Sequence, residues 1–400
     1  MIKAELLAPA GNYEKFLTAL RFGADAVYVG AKSFSLRAFA DNFTLEELQK
    51  ATETAHALQK KIYVTANIFA KNEDFSALKT FFQNLEKIGV DAAIVSDVGA
   101  VYVAKQVAPN LCLHLSTQAN TTNKYAVKFW KELGVSRVVL ARELSIAEIA
   151  EIHEFGPDME LECFVHGAMC ISYSGRCLLS DYLDGRSSNR GACVQACRWQ
   201  YEVRAKNSPK GEGEWLELQQ DERGAYVLNS KDLNMLSYLQ DLENAGVCSF
   251  KIEGRMKSAY YLATVINGYR RFMDGAPYEK MQGELAAVAH RDYTTAYALG
   301  KNAETVNYTD SQSKGTYLYV ADVLDGGAGQ VCVEMRNRFQ TGDVLEVLSW
   351  DETFGKSFVV EKIVGADGEE ATDAKRVQAI YTLNCPYDVP KGAYLRRKNA

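Results

Sequence analysis

The hydrophobic pattern changes character along the 400 residues. Up to about residue 275, short apolar runs alternate with longer segments whose apolar residues recur every three or four positions. The runs Glu5–Pro9, Asp25–Gly30, Lys61–Ile68, Ala92–Ser96, Leu113–Thr117, Arg137–Ala141, Glu160–Val165, Tyr226–Asn229 and Ser249–Glu253 read as strands. Helices lie between them, as where Leu45, Leu48, Ala51, Ala55 and Leu58 share one face. Thr44 with Glu47, and Ser145 with Glu148, have capping-box spacing. Gly23, Gly89, Gly134 and Gly246 fall between a helix and the next strand, where a left-handed residue ends the helix.

Strand and helix in regular alternation imply parallel pairing. The expected fold is therefore α/β, a (β/α)8 TIM-like barrel, with one of the nine candidate strands outside it or in a hairpin. An open doubly wound sheet is the alternative. It would usually carry a glycine-rich nucleotide loop after the first strand, which Ala8-Pro9-Ala10-Gly11 is not. Residues 166–225 break the rhythm as an irregular insertion within a barrel domain of residues 1–275. Residues 276–314 read as a linker or short helices. The runs Thr316–Val323, Gln330–Val333, Asp343–Leu348, Lys356–Ile363, Arg376–Ile380 and Gly392–Arg396 then predict a small C-terminal all-β barrel over 315–400.

With 47% hydrophobic and 24% charged residues, extended disorder is not expected. No apolar run reaches the ~18 residues of a membrane span, and the N-terminus lacks the blocks of a signal peptide. A cytoplasmic protein is expected, with its nine cysteines reduced. A net charge of -6 means that a nucleic-acid partner would need a local basic surface.

Cys112, Cys163, Cys248, Cys332 and Cys385 lie singly in apolar stretches and read as small buried hydrophobes. The other four crowd together as Cys170-x6-Cys177-x15-Cys193-x3-Cys197, and one buried metal site is expected. Four thiolates on dispersed loop spacings suit a [4Fe–4S] cluster. A structural zinc ion is the alternative, although only Cys193-x3-Cys197 resembles a zinc knuckle, and reduced cysteines without metal are a third reading.

Chemistry in a barrel sits at the C-terminal strand ends. There Arg142, Glu143, Lys251 and Glu253, with His166 just past a strand, are the candidate catalytic groups. Asn67, Gln118, Arg176, Arg198, Lys231 and Arg255 are candidates for binding an anionic small molecule or a phosphate backbone. Each is also readable as a capping or loop residue, and a lone histidine is more often simply hydrogen-bonded. Tyr173, Tyr182, Trp199 and Tyr201 near the insertion offer stacking surfaces for a flipped base, or ordinary packing. Lys391, Arg396, Arg397 and Lys398 form a basic tail.

The stretch Glu162-Cys-Phe164-Val-His166-Gly167-Ala168-Met169-Cys170-Ile-Ser-Tyr-Ser-Gly175-Arg-Cys177-Leu-Leu-Ser180 resembles the signature of peptidase family U32, the collagenase-like proteases. Glu5–Gly11, Asp25–Gly30, Asn189–Cys193, Cys197–Tyr201, Ser230–Asp232 and Lys251–Arg255 are similar to further blocks of that family. The family name implies a peptidase, while several members are iron–sulfur proteins of RNA or quinone hydroxylation. A chain of this length with a terminal β domain resembles the subgroup that makes 5-hydroxyuridine at the tRNA wobble position. That resemblance implies a [4Fe–4S] cluster on the four cysteines, prephenate as co-substrate, and the tRNA anticodon loop as partner. A homo-oligomer or a paralogous partner subunit is also compatible with it. The alternatives are a U32-type peptidase and hydroxylation of a 23S ribosomal RNA cytidine, whose proteins carry additional domains. A peptidase needs an activated nucleophile or water, and the chain has neither HExxH nor Gly-x-Ser-x-Gly.

Overall fold

The computed structural model describes residues 2–32, 34–36, 41–199, 204–206, 215–217, 230–300, 305–306 and 313–399. Seven strands pair in parallel and in chain order: β1 (Glu5–Ala10), β2 (Ala26–Gly30), β3 (Lys61–Ala66), β4 (Ala92–Val95), β5 (Leu113–Leu115), β6 (Arg137–Val139) and β7 (Glu160–Ala168). After β7 come a two-stranded hairpin of β8 (Arg204–Lys206) and β9 (Trp215–Glu217), then β10 (Asp232–Asn234), antiparallel to the end of β7. β11 (Val247–Ile252) pairs in parallel with both β7 and β1 and closes an eight-stranded barrel. The predicted strand Tyr226–Asn229 lies outside the described residues. β7 runs three residues past its predicted end because His166, Gly167 and Ala168 find partners on β10.

Helices α1 (Tyr13–Arg21), α2 (Leu45–Ala57), α3 (Phe75–Ile88), α4 (Val98–Val107), α5 (Lys124–Glu132) and α6 (Ile146–Phe155) follow the first six strands. α7 (Leu179–Asp184) lies in the insertion; α8 (Leu239–Asn244) and α9 (Ala259–Met273) flank β11. Both predicted capping boxes form, and the four predicted helix-ending glycines all take positive φ. Outward residues such as Val27, Val29, Leu161 and Phe250 pack with the helices into the main core. The inward face is smaller and mixed, with Leu7, Tyr28, Tyr63 and Ile94 as its apolar part.

The segment expected as a linker contains α10 (Tyr278–Leu285) and β12 (Tyr293–Thr294), which pairs with β10. The C-terminal strands are β13 (Tyr317–Gly327), β14 (Gln330–Met335), β15 (Phe339–Gln340), β16 (Val344–Leu348), β17 (Ser357–Val359), β18 (Ile363–Gly365), β19 (Glu370–Ala371), β20 (Asp373–Ala374), β21 (Ile380–Asn384) and β22 (Tyr394–Lys398). Eight of them form one antiparallel sheet in the order β17-β16-β22-β13-β14-β21-β18-β19, and β15 pairs with β20. Among the described residues the end strands β17 and β19 do not meet, so this is a half-barrel around its own core of Val331, Val333, Leu345, Val347 and Leu395.

This domain is docked on the barrel by buried chemistry. The Arg396 guanidinium, only 2% exposed, donates to both Glu284 oxygens on α10 at 2.8 and 2.6 Å and to Glu346 at 2.7 Å. Tyr260 and Tyr319 stack at 4.7 Å beside it. Arg396 is therefore a clasp and not part of a basic tail, and Arg397 is paired with Asp343.

Candidate active site at the barrel mouth

Alternation along β7 turns Glu162 and Phe164 into the lumen and Leu161 and Cys163 toward the helices. Glu162 is fully buried, which is tolerable only for a paired carboxylate. Lys251 Nζ lies 2.6 Å from Glu162 Oε1, and Arg137 lies 3.2 Å from Oε2. Arg137 also reaches Glu5 at 2.6 Å, while the Ser249 and Tyr63 hydroxyls donate to Glu5 at 2.9 and 2.7 Å. Burial opposes ionisation of Glu162, yet Lys251 and Arg137 outweigh it and hold the carboxyl below the ordinary range. The Lys251 ammonium also lies 4.6 Å from the centre of the Tyr28 ring and 5.5 Å from that of Phe164.

Above this layer opens a cavity of about 170 Å³. Of the predicted residues, Asn67, Gln118, Arg142, Glu143, Lys251, Glu253 and Arg255 line it. Arg142 donates to the Ala168 carbonyl at 2.9 Å and lies 4.2 Å over Phe164; its buried Nε has no hydrogen-bond partner. Glu253 accepts from Tyr28 Oη at 3.3 Å. Gly167, at φ +107, lets β7 pass the Glu253 carbonyl, since a Cβ there would sit 2.4 Å from that oxygen. Arg255 is 2% exposed and ties Ser35, Thr65 and the Leu36 carbonyl together; Asn67 bridges Leu36 and Ser116. Both Glu143 oxygens are engaged by Ser174, at 2.9 Å from its N–H and 3.0 Å from its hydroxyl.

Four predicted residues are not brought to the cavity. The β7–β11 register shifts after Phe164, and this bulge turns His166 away from the lumen. His166 is caged by Tyr261, Tyr269 and Tyr293, and burial pushes its pKa down to about 3. An acid or base acting in the cup cannot be this imidazole. Arg176 is exposed on the rim. Arg198 lies beside Arg291 and Asp232, where burial and then Arg291 lower its pKa. Lys231 directly precedes β10 and does not line the cavity, its N–H bonded to the Thr305 carbonyl, and Asp232 is taken up by Arg291. Residues that pattern reading passed over include Tyr28, Phe164 and Asn189 on the wall and Arg137 beneath it. For Arg137 the available signal was charge on an otherwise apolar strand, and Glu162 had that signal as well as its place in the family signature.

Cys170, Cys177, Cys193 and Cys197 all line the same cavity. Cys170 is exposed and the other three half-buried, so the thiols stand at the mouth and not in the buried site expected. Of the five scattered cysteines, Cys163 and Cys385 are buried and the rest partly so. Burial raises the Cys197 thiol, and the nearby Cys170, Cys193 and Cys177 add to that. The Gln195 N–H points at Cys193 Sγ at 3.4 Å, a backbone donor of the kind that supports metal-bound sulfur. Among the described residues no three or more Cys, His, Asp or Glu side chains are drawn together tightly enough for a single metal ion.

The insertion is latched to the mouth. Gln118 donates to Asn189 at 2.9 Å, and Asn189 and Ser188 donate to the Cys177 carbonyl at 3.0 and 2.9 Å. Arg190 reaches the Phe69 carbonyl at 2.8 Å and Asp74 at 2.9 Å.

Fold and site together define a class: a (β/α)8 protein whose C-terminal mouth is roofed by a four-cysteine insertion, with an antiparallel β domain docked on its flank. The sequence profile of Peptidase family U32 matches residues 11–308, and that of the Peptidase family U32 C-terminal domain matches 315–396. The chain belongs to peptidase family U32. It is 40% identical to "tRNA hydroxylation protein P1" of Bacillus subtilis, over 93% of this chain and 90% of that protein. It is 38% identical to "tRNA hydroxylation protein P" of Escherichia coli, over 100% and 97%. A protein of Porphyromonas gingivalis named "Collagenase" is 35% identical over 74% of each chain.

Proposed function

We propose that this chain is a cytoplasmic tRNA-modifying hydroxylase that forms 5-hydroxyuridine at the wobble position, with prephenate as co-substrate and a [4Fe–4S] cluster on Cys170, Cys177, Cys193 and Cys197. The observation that carries this reading is the end-to-end likeness, both domains included, to proteins named for tRNA hydroxylation. The site supports it. Four thiols around one cavity wall suit a cubane, which holds its ligands farther apart than a single ion does. Such a cluster would supply one-electron chemistry beside the cup.

The protein's own groups would do the rest. Lys251 and Arg142 present cations at a floor walled by Phe164 and Tyr28, a setting for a small dicarboxylate with an unsaturated ring. The unpartnered Arg142 Nε is a buried donor that an incoming carboxylate satisfies. Glu162, 2.6 Å from Lys251 Nζ, fixes the position of that ammonium on the floor. Peptidase chemistry fits less well, because among the described residues no histidine lines the cavity to activate a nucleophile.

Mass spectrometry of tRNA from a strain lacking this gene tests the proposal. Loss of 5-hydroxyuridine derivatives, restored by the wild-type gene but not by Cys177→Ala, is expected. An unchanged nucleoside profile in a strain with no second copy of the gene refutes it. Digestion of gelatin by purified protein would favour the peptidase reading instead.

A further inference from the structure

Tyr173 occupies an unusual position: it lines the cavity, yet it is 61% exposed. Of the exposed large hydrophobic side chains among the described residues, it alone also lines the cavity, so its ring is open both to the site and to whatever enters it. Tyr182 and Trp199, also exposed on the insertion, do not line the cavity, and Tyr201 lies outside the described residues.

The segment carrying Tyr173 is held in place on both sides. The next residue, Ser174, gives its N–H and hydroxyl to Glu143 at the end of β6. Gly175, at φ +74, lies so close to the barrel that a Cβ would sit 2.0 Å from the Gln118 carbonyl. The Arg176 N–H closes the turn on the Tyr173 carbonyl at 2.9 Å. A ring on a segment ordered in advance loses little entropy when something stacks on it. Arg176 stands on the same turn, exposed, where a phosphate would meet it.

Resting on the tRNA reading above, we infer that Tyr173 is the stacking platform for the nucleobase that enters the cavity, and that Glu143 is a positioning residue that holds this platform over the mouth. Glu143, with both oxygens engaged by Ser174, acts on the base only through Tyr173.

The test is binding of a synthetic anticodon stem-loop by the purified, iron-loaded full chain, with uridine or an abasic ribose at the first anticodon position. Base–aromatic stacking of about 1–3 kcal/mol predicts a roughly 5- to 150-fold preference of the wild type for the uridine RNA. Tyr173→Ala abolishes that preference and Tyr173→Trp keeps it, with iron and sulfide content unchanged in both. Glu143→Ala weakens the preference, and the Glu143→Ala/Tyr173→Ala double variant is no worse than Tyr173→Ala alone. A preference that survives Tyr173→Ala overturns the inference while leaving the tRNA reading intact. Loss of iron from Tyr173→Ala also overturns it, because the ring would then be structural. If the wild type binds neither RNA, the tRNA reading itself fails.

Discussion

Glu162 is the residue on which the barrel's interior charge balance turns, and Glu162→Gln is the sharpest test of that layer. The substitution keeps the shape and removes the charge. Arg137 retains Glu5 and Glu160, at 2.6 and 2.8 Å, so the imbalance falls on Lys251, 95% of whose side chain is out of solvent. Removing one partner of a buried ion pair costs about 3–5 kcal/mol. Because Lys251 also faces two aromatic rings and an open cavity, the lower end, about 3 kcal/mol, is expected. For a unit of this size that corresponds to a fall in Tm of roughly 4–5 °C. Calorimetry or urea denaturation reads it directly. The Glu162→Leu/Lys251→Met double variant removes both charges and should regain most of the loss, since isosteric apolar replacement of a buried pair is often neutral. A loss below about 1 kcal/mol in Glu162→Gln, or a double variant less stable than the single one, would refute the reasoning.

Acid stability carries a second signature. Burial lowers the pKa of both His114 and His166 to about 3, so each stays neutral in the fold while the unfolded chain takes up a proton below about pH 6.5. The unfolded state then binds more protons, and stability falls as pH drops through that window, by about 2 kcal/mol per histidine between pH 7 and 5. Urea denaturation at both pH values checks this, and His114→Gln/His166→Gln should flatten the difference. Arg396→Met strands two carboxylates at the domain junction, and calorimetry should then separate two transitions where the wild type shows a coupled one. Alanine at Cys170, Cys177, Cys193 or Cys197 should each lower iron and sulfide per chain after anaerobic purification. Cys163→Ala should not, because Cys163 packs outward into the main core; full iron in any of the four variants removes that residue from the ligand set.

What could be read from the sequence was what short-range physics determines. The strands of the barrel, both capping boxes and the glycines ending helices rest on interactions a few residues apart, and they stand where the pattern put them. That the four cysteines lie together was legible because one short insertion carries them all, but their place at an open mouth and not in a buried site was not. Long-range effects were not legible. A one-residue bulge opposite Lys251 decides that His166 leaves the cup, and alternation alone cannot register it. Arg396 reads as a basic tail until Glu284, 112 residues earlier in the chain, is brought beside it. Glu143 lies in the cup as expected, but its hold on Ser174 could not be read, because Ser174 belongs to an insertion without periodicity.

The geometry divides labour between floor and roof. The floor is made of strand residues whose charges are balanced within the lumen, so its cations are held rigidly whether or not a ligand is present. The thiols hang from the roof, and the roof is tied down by side chains other than cysteine: Glu143 beyond β6, Gln118 beyond β5, and the Phe69 carbonyl with Asp74 beyond β3. Those ties run from the neighbouring β6 through β5 to β3, which lies across the mouth from β7, where the insertion begins. A roof so anchored sets the four thiols around the cavity without a metal, and for the cluster proposed above it would lower the ordering cost of loading. It also fixes Tyr173 and the thiols within one segment, so that whatever stacks on the ring is held beside the thiol wall and above Lys251 and Arg142. Proximity of that kind, built from latches and not from the metal, is what the barrel contributes to the chemistry at its mouth.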